Sequence, residues 1–313
     1  MIDAVHDARR ALAGIAFRTP LVELNVADAP ARIFLKLENL QPIGAFKIRG
    51  AAYAMARMAP DELARGVLTA SAGNMAQAVA WNARRLGVSC TVVAPDSAPA
   101  AKLDAVRRLG ASVIQVGFDR WWQTFVDRGY PGVEASFVHA FDDERVQAGN
   151  GTIGLEVMED LPDVDTILVP WGGGGLATGI ATAVKSLKPS VRVAAVEVEG
   201  AAPLTASLRS GRVETIDYRP SFVDGIGSKT VMPNMFEQAR RLLDGCLTAG
   251  VEEVAAAVRM LVERNRVVAE GAGAAPVAVA MSGRAGAGTI ACVVSGGNID
   301  LRKLAVILEG GVP

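Results

Sequence analysis

Thr166-Ile167-Leu168-Val169-Pro170-Trp171-Gly172-Gly173-Gly174-Gly175-Leu176 is the stretch whose reading decides the fold class. The apolar run Thr166 to Val169 predicts a strand buried on both faces, and Ala177 to Leu187 behind the glycines predicts a helix. Four consecutive glycines at such a junction carry a heavy entropic cost, so turning the chain is a poor reason for them. Without side chains, successive backbone N–H groups can close on an anion, and the positive end of the following helix adds to the attraction. The segment therefore predicts a phosphate cradle at the carboxyl edge of a parallel sheet, where open α/β sheets bind ligands. A flexible turn is the plain alternative. Gly172, Gly174 and Ala177 also satisfy Gly-x-Gly-x-x-Ala, and Glu197 stands about where a ribose-binding acid would, which keeps a nicotinamide oxidoreductase as a rival.

Outward from this segment the same alternation repeats. Short β-branched runs at Arg32 to Lys36, Gly66 to Ala70, Cys90 to Ala94, Ser112 to Val116, Ser136 to His139, Arg192 to Glu197 and Thr289 to Val294 alternate with longer Ala/Leu/Arg segments. Half of the 313 residues are hydrophobic but only 5% aromatic, a balance that suits buried parallel strands under close-packed helices. The length favours one large α/β unit or two lobes sharing a cleft. The division expected is a large lobe of residues 1–56 and 144–313 with a small α/β lobe, 57–143, inserted in it.

Charge and composition narrow the partners. With 32 basic against 33 acidic side chains, no global field draws the chain to nucleic acid or to an acidic membrane, and a small molecule is the expected partner. Cys90, Cys246 and Cys292 sit in or beside apolar runs and read as reduced core residues. Only His6 and His139 are available, so Cys/His or Ser/His/Asp machinery is not expected, and zinc-ligand spacing is absent. A charged amino terminus and the lack of a long apolar stretch predict cytoplasmic residence.

Three further segments carry chemistry. In Lys36-Leu37-Glu38-Asn39-Leu40-Gln41-Pro42-Ile43-Gly44-Ala45-Phe46-Lys47-Ile48-Arg49-Gly50, Lys47 is framed by glycines and an aromatic, which suits a Schiff-base lysine whose pKa is lowered by desolvation. An ordinary surface charge is the alternative. In Thr69-Ala70-Ser71-Ala72-Gly73-Asn74-Met75, Ser71 and Asn74 read either as caps of the helix running to Leu86 or as holders of a substrate carboxylate and a ring hydroxyl. In Val294-Ser295-Gly296-Gly297-Asn298, Ser295 is either a cap or a neutral partner for a pyridine nitrogen.

These segments, in this order and over nearly the whole chain, resemble the fold type II pyridoxal phosphate enzymes, specifically the serine/threonine dehydratase branch. The likeness extends to Gly149-Asn150-Gly151-Thr152-Ile153-Gly154-Leu155-Glu156, Asp224-Gly225-Ile226 and Glu270-Gly271-Ala272-Gly273-Ala274-Ala275. The resemblance implies an α/β fold of two open twisted parallel-sheet lobes, like the tryptophan synthase β chain, with pyridoxal 5'-phosphate in the cleft. It implies Lys47 as cofactor anchor and base, Phe46 against the ring, Asn74 on the ring hydroxyl, Ser295 at the ring nitrogen and the Gly225 carbonyl lining the site. Gly172, Gly173, Gly174, Gly175 and Leu176 take the phosphate; Ser71, Gly73, Asn74 and Met75 take the substrate carboxylate, with Ser71 also counted as catalytic.

The reaction so implied is loss of water from L-threonine, L-serine or a related 3-hydroxy amino acid, giving a 2-oxo acid and ammonia, in a homodimer or homotetramer. A cysteine synthase type of β-replacement and a non-catalytic binding protein are the alternatives. Met75 replaces the family's usual histidine, Ile43 and Ala45 a frequent threonine and serine, and racemizing relatives carry a serine where this chain has Ala72. Trp171 is bulkier than usual and reads as core; Arg120-Trp121-Trp122 reads as core or subunit contact. For the divalent cation that some relatives bind, Glu197 and Ala201 are only weak candidates, because Pro203 stands where a second carboxylate belongs. The end at Pro313 leads us to expect no regulatory domain and no isoleucine feedback.

Overall fold

In the computed structural model, which describes residues 2–313, two sheets form two lobes. The strands are β1 (Leu21–Glu23), β2 (Arg32–Leu37), β3 (Val67–Ala70), β4 (Cys90–Pro95), β5 (Ser112–Val116), β6 (Ser136–Phe137), β7 (Thr166–Pro170), β8 (Arg192–Val198), β9 (Cys246–Ala249) and β10 (Thr289–Val294). The larger sheet has the order β1-β2-β10-β7-β8-β9 and the smaller β5-β4-β3-β6. Only β1 runs antiparallel to its neighbour. The expected strands are therefore present, with ends shifted by a residue or two. β1 and β9 were not expected. Both are short, lie at the edges of the larger sheet and are only partly buried, so neither carries the apolar run that marks a central strand.

Register decides where the loops meet. Cys292 pairs with Leu168 and Val294 with Leu37, so the carboxyl ends of β10, β7 and β2 finish at one edge of the larger sheet. The tetraglycine loop, the Ser295 loop and the segment leading to Lys47 all leave from that edge. Beneath them, β7 and β10 are buried along their whole length. Each fully buried Leu, Ile or Val there contributes on the order of 1.5–3 kcal/mol. One face of the sheet packs under helix Gly271–Met281, the other under helices Gly175–Leu187 and Pro233–Leu242.

Helix Lys47–Ala56 is shared between the lobes. Ile48, Ala51, Ala54 and Met55 join the core of the smaller sheet, while Ala52 and Tyr53 pack with the amino-terminal helix and helix Glu144–Asp160. The crossings are close because glycines line them. A Cβ on Gly149 would come within 2.5 Å of the Arg49 carbonyl oxygen, and one on Gly179 within 2.2 Å of the Gln147 carbonyl oxygen. The Gly149 to Glu156 segment thus acts through packing: it lets three helices approach backbone to backbone and fixes the helix that begins with Lys47.

Candidate functional site

Lys47 opens its helix without a side-chain cap, and the segment before it is stitched to the Ser295 loop. Phe46 N donates to the Ser295 carbonyl at 2.9 Å and Gly297 N to the Gly44 carbonyl at 2.9 Å. The amine donates to the Ala140 carbonyl at 2.8 Å and lies 5.0 Å from the centre of the Phe46 ring. Burial lowers its pKa to about 8, and the Glu270 charge opposes the shift. Two residues on, the buried Arg49 guanidinium binds Glu38 and Glu156, and Glu156 also pairs with buried Lys36 at 2.6 Å. This fully enclosed network holds the first turn of the Lys47 helix against the body of the large lobe.

The tetraglycine is shaped by its neighbours. A Cβ at Gly173 would lie 2.1 Å from the Phe141 ring, at Gly174 2.3 Å from the Trp171 ring and at Gly175 2.6 Å from the Phe141 carbonyl oxygen. Gly174, with φ +93°, starts the helix at Gly175 instead of the expected Ala177. No side chain caps that helix, and among the described residues the N–H groups of Gly172 through Leu176 have no acceptor. A phosphate matches such a set of unpaired donors at a helix amino terminus. Trp171 is fully buried core, as its sequence setting suggested.

Of the remaining expected residues, Asn74 ties the small-lobe loop to the Glu270 and Ser295–Asn298 loops of the large sheet. Ser295 is buried, with no partner for its hydroxyl among the described residues. It is not a cap, because Asp300 caps the following helix. The Gly225 carbonyl oxygen lies 3.1 Å from the position a Gly172 Cβ would take. Ser71 Oγ accepts from Gly73 N at 3.2 Å, and neither Ser71 nor Asn74 caps the helix Asn74–Leu86. A Cβ on Gly73 would meet nothing within 4 Å. Met75 is buried in the small-lobe core, so its side chain serves packing. Asn74 is held on both sides: its Nδ2 donates to Glu270 at 2.8 Å and its Oδ1 accepts from Asn298 at 2.8 Å.

Sequence reasoning missed the Ala140 carbonyl and the Arg49 network, and it quoted Asn298 and Glu270 within motifs without giving either a role. Burial, reinforced by Asp224, raises the Glu270 pKa to about 7, while the Asn74 hydrogen bond opposes the rise. Across the cleft mouth, Lys102 of helix Ala100–Arg108 pairs with Asp224 at 2.7 Å. Glu197, by contrast, faces no open site. Its oxygens accept from Leu204 N, Thr205 N, Thr205 Oγ1 and Cys246 Sγ, so the carboxylate is engaged by the first turn of helix Pro203–Ser210 and by β9. Ala201 contributes only a bridge to Val198 beside it. The described residues contain no cluster of three or more His, Cys, Asp or Glu able to hold a metal, and no helix long and apolar enough to cross a membrane. Trp121 and Trp122 pack with Phe118 and Phe125 against the small-lobe core.

The unpaired N–H groups, the desolvated amine and the free Ser295 hydroxyl fit pyridoxal phosphate, and the comparisons agree. The family model described as "Pyridoxal-phosphate dependent enzyme" matches residues 12–296. An L-threonine ammonia-lyase of Thermotoga maritima is 42% identical over 99% of this chain and 79% of its own length. Maize serine racemase superposes with a TM-score of 0.90 at 31% identity, covering 97% of this chain and 95% of that one. The processed form of threonine deaminase isoform 2 from Solanum lycopersicum gives 0.88 at 31% identity, covering 98% and 87%. The chain belongs to the pyridoxal-phosphate dependent enzyme family, with the two-lobed α/β fold of its threonine deaminase and serine racemase relatives.

Proposed function

We propose that this chain is an ammonia-lyase that eliminates water from L-threonine, L-serine or a related 3-hydroxy amino acid. One observation carries the reading: the Lys47 amine, desolvated and held by Ala140, is one residue of chain away from Phe141, which abuts the unpaired donors of the tetraglycine. When bound, pyridoxal phosphate supplies the electron sink for charge that develops as the substrate α-proton leaves. Gly172 through Leu176 would hold its phosphate, Phe46 its ring, Asn74 its ring hydroxyl and Ser295 its ring nitrogen. A neutral hydroxyl at that nitrogen favours prompt loss of the β-substituent over long storage of the charge.

Lys47 would take and return the α-proton, and its lowered pKa keeps part of the amine neutral near pH 7. Ser71 and the N–H groups of Gly73, Asn74 and Met75 would receive the substrate carboxylate. Inversion at the α-carbon needs a second proton carrier, and Ala72, standing where racemizing relatives have serine, supplies none. That supports lyase over racemase despite the close superposition on maize serine racemase.

The site would lie between a large lobe, 1–56 and 144–313, and a small lobe, 57–143; two separate sheets support this division. We also take the enzyme to be cytoplasmic, on three free cysteines, and a homodimer or homotetramer, on the exposed Phe17, Leu40, Val268 and Leu301.

The test follows visible absorbance during pyridoxal phosphate addition, then 2-oxo acid release from L-threonine and L-serine, with Lys47→Ala in parallel. A Lys47-dependent band with release of 2-oxo acid is expected. A band with D-serine formation and no oxo acid would contradict the lyase reading.

A further inference from the structure

The two histidines offered no catalytic role in sequence, yet one sits at the joint of the site. We propose that His139 is a positioning residue that holds the Lys47 amine and the phosphate cradle in one fixed relation. The inference rests on the cofactor reading above and extends it to a residue that touches neither cofactor nor substrate.

His139 is 1% exposed and lies two residues beyond the end of β6. Upstream, the chain is fixed by the sheet, with Val138 N donating to Leu68 at 2.8 Å and Thr69 Oγ1 to the Val138 carbonyl at 2.9 Å. Downstream, Asp143 caps helix Glu144–Asp160. Between these anchors, His139 Nδ1 accepts from Asp142 N at 2.8 Å and from Phe141 N at 3.2 Å, and no other acceptor serves those two N–H groups among the described residues. An Nδ1 that accepts two donors is unprotonated, so the imidazole is neutral with its proton on Nε2. Burial, which pushes the pKa down to about 4, keeps it so at neutral pH.

The Ala140–Phe141 peptide, whose N–H this ring accepts, joins the two halves of the site. Ala140 presents its carbonyl to the Lys47 amine at 2.8 Å. The Phe141 ring stands edge-on to His139 at 4.7 Å and supports Gly173, while its carbonyl supports Gly175 and accepts from Gln147 at 3.2 Å. Phe125 and Phe137 enclose the imidazole from the small lobe at 5.4 and 5.9 Å. A core histidine with only a packing role would need none of these backbone bonds. Here one acceptor atom determines where a carbonyl meets the amine and where an aromatic wall meets the cradle.

The experiment compares His139→Phe, which keeps a ring in the aromatic cluster but has no acceptor, with His139→Asn, whose side-chain oxygen can accept from the same N–H groups as in an Asx turn. Amide hydrogen exchange of the full chain is measured with and without pyridoxal phosphate, alongside the pH dependence of Lys47 modification and steady-state kinetics. His139→Phe should speed exchange at Phe141 and Asp142 at least tenfold, move the Lys47 titration and lower kcat more than tenfold with KM changed less than threefold. His139→Asn should restore protection and most of kcat.

Unchanged protection and an unchanged Lys47 titration in His139→Phe would overturn the proposal. So would equal losses in both variants that follow their melting temperatures. Exchange and lysine modification need no turnover, so failure of the lyase reading would show separately, as absence of 2-oxo acid from the parent protein.

Discussion

The loop at Gly172–Gly175 and the loop at Ser71–Met75 both join a buried parallel strand to a helix, and they are built on opposite plans. At Gly173, Gly174 and Gly175 an added methyl would collide with Phe141 or Trp171, whereas at Gly73 it would meet nothing within 4 Å. Backbone and packing define the first loop; it admits one shape and offers N–H groups. The second is bordered by open space and offers side chains of its own, Ser71 and Asn74. Under the proposed function, the first loop would hold a constant phosphate and the second would be free to vary with the substrate.

The largest effect expected is at the fixed side. Gly173→Ala should weaken pyridoxal phosphate binding by roughly a hundredfold, about 2.7 kcal/mol, because the added methyl would lie 2.1 Å from the Phe141 ring, itself packed against Phe125 and His139; an absorbance titration reads this directly. Next comes the frame beneath Lys47. Glu38→Ala leaves buried Arg49 and Lys36 with Glu156 as their one shared carboxylate, and should lower stability by about 3–5 kcal/mol in a denaturant titration.

Third, the folded-state pKa of Lys47 is lowered to about 8, so the reactive neutral amine should grow as pH rises through 8 and level off above 9. At pH 7 about one tenth of the amines are neutral, far more than for an ordinary lysine. Rates of Lys47 modification from pH 6 to 10 would check this, and a midpoint near 10.5 would contradict it. Fourth, Glu270 titrates near 7, so Glu270→Gln should flatten the pH dependence of kcat between 6 and 8 while leaving cofactor affinity within about threefold.

What was legible in sequence follows the same division. The tight strand-to-helix loop at Gly172–Gly175 could be read because its shape is written in glycine, and only glycine permits it. The central strands could be read because burial on both faces demands continuous apolar runs; β1 and β9, short and at the edges, escaped for lack of them. Ser71, Asn74 and Ser295 were recognised as residues but left open between capping and binding, since that choice depends on where helices begin. The Ala140 carbonyl was invisible, because an alanine carries no signal for what its backbone oxygen accepts. The Asn74 contacts of Glu270 and Asn298 and the Lys36–Glu156–Arg49–Glu38 network join residues far apart in sequence, and no local pattern announces such pairings.

Paired pyridoxal phosphate titrations of Gly173→Ala and Gly73→Ala, with KM for L-threonine measured on whichever variant retains cofactor, test the contrast most directly. The account predicts a roughly hundredfold loss of cofactor affinity for Gly173→Ala; for Gly73→Ala it predicts affinity within about threefold of the parent and a KM raised severalfold. Equal loss of cofactor affinity in both variants, or none in either, would contradict the assignment of one loop to the phosphate and the other to the substrate.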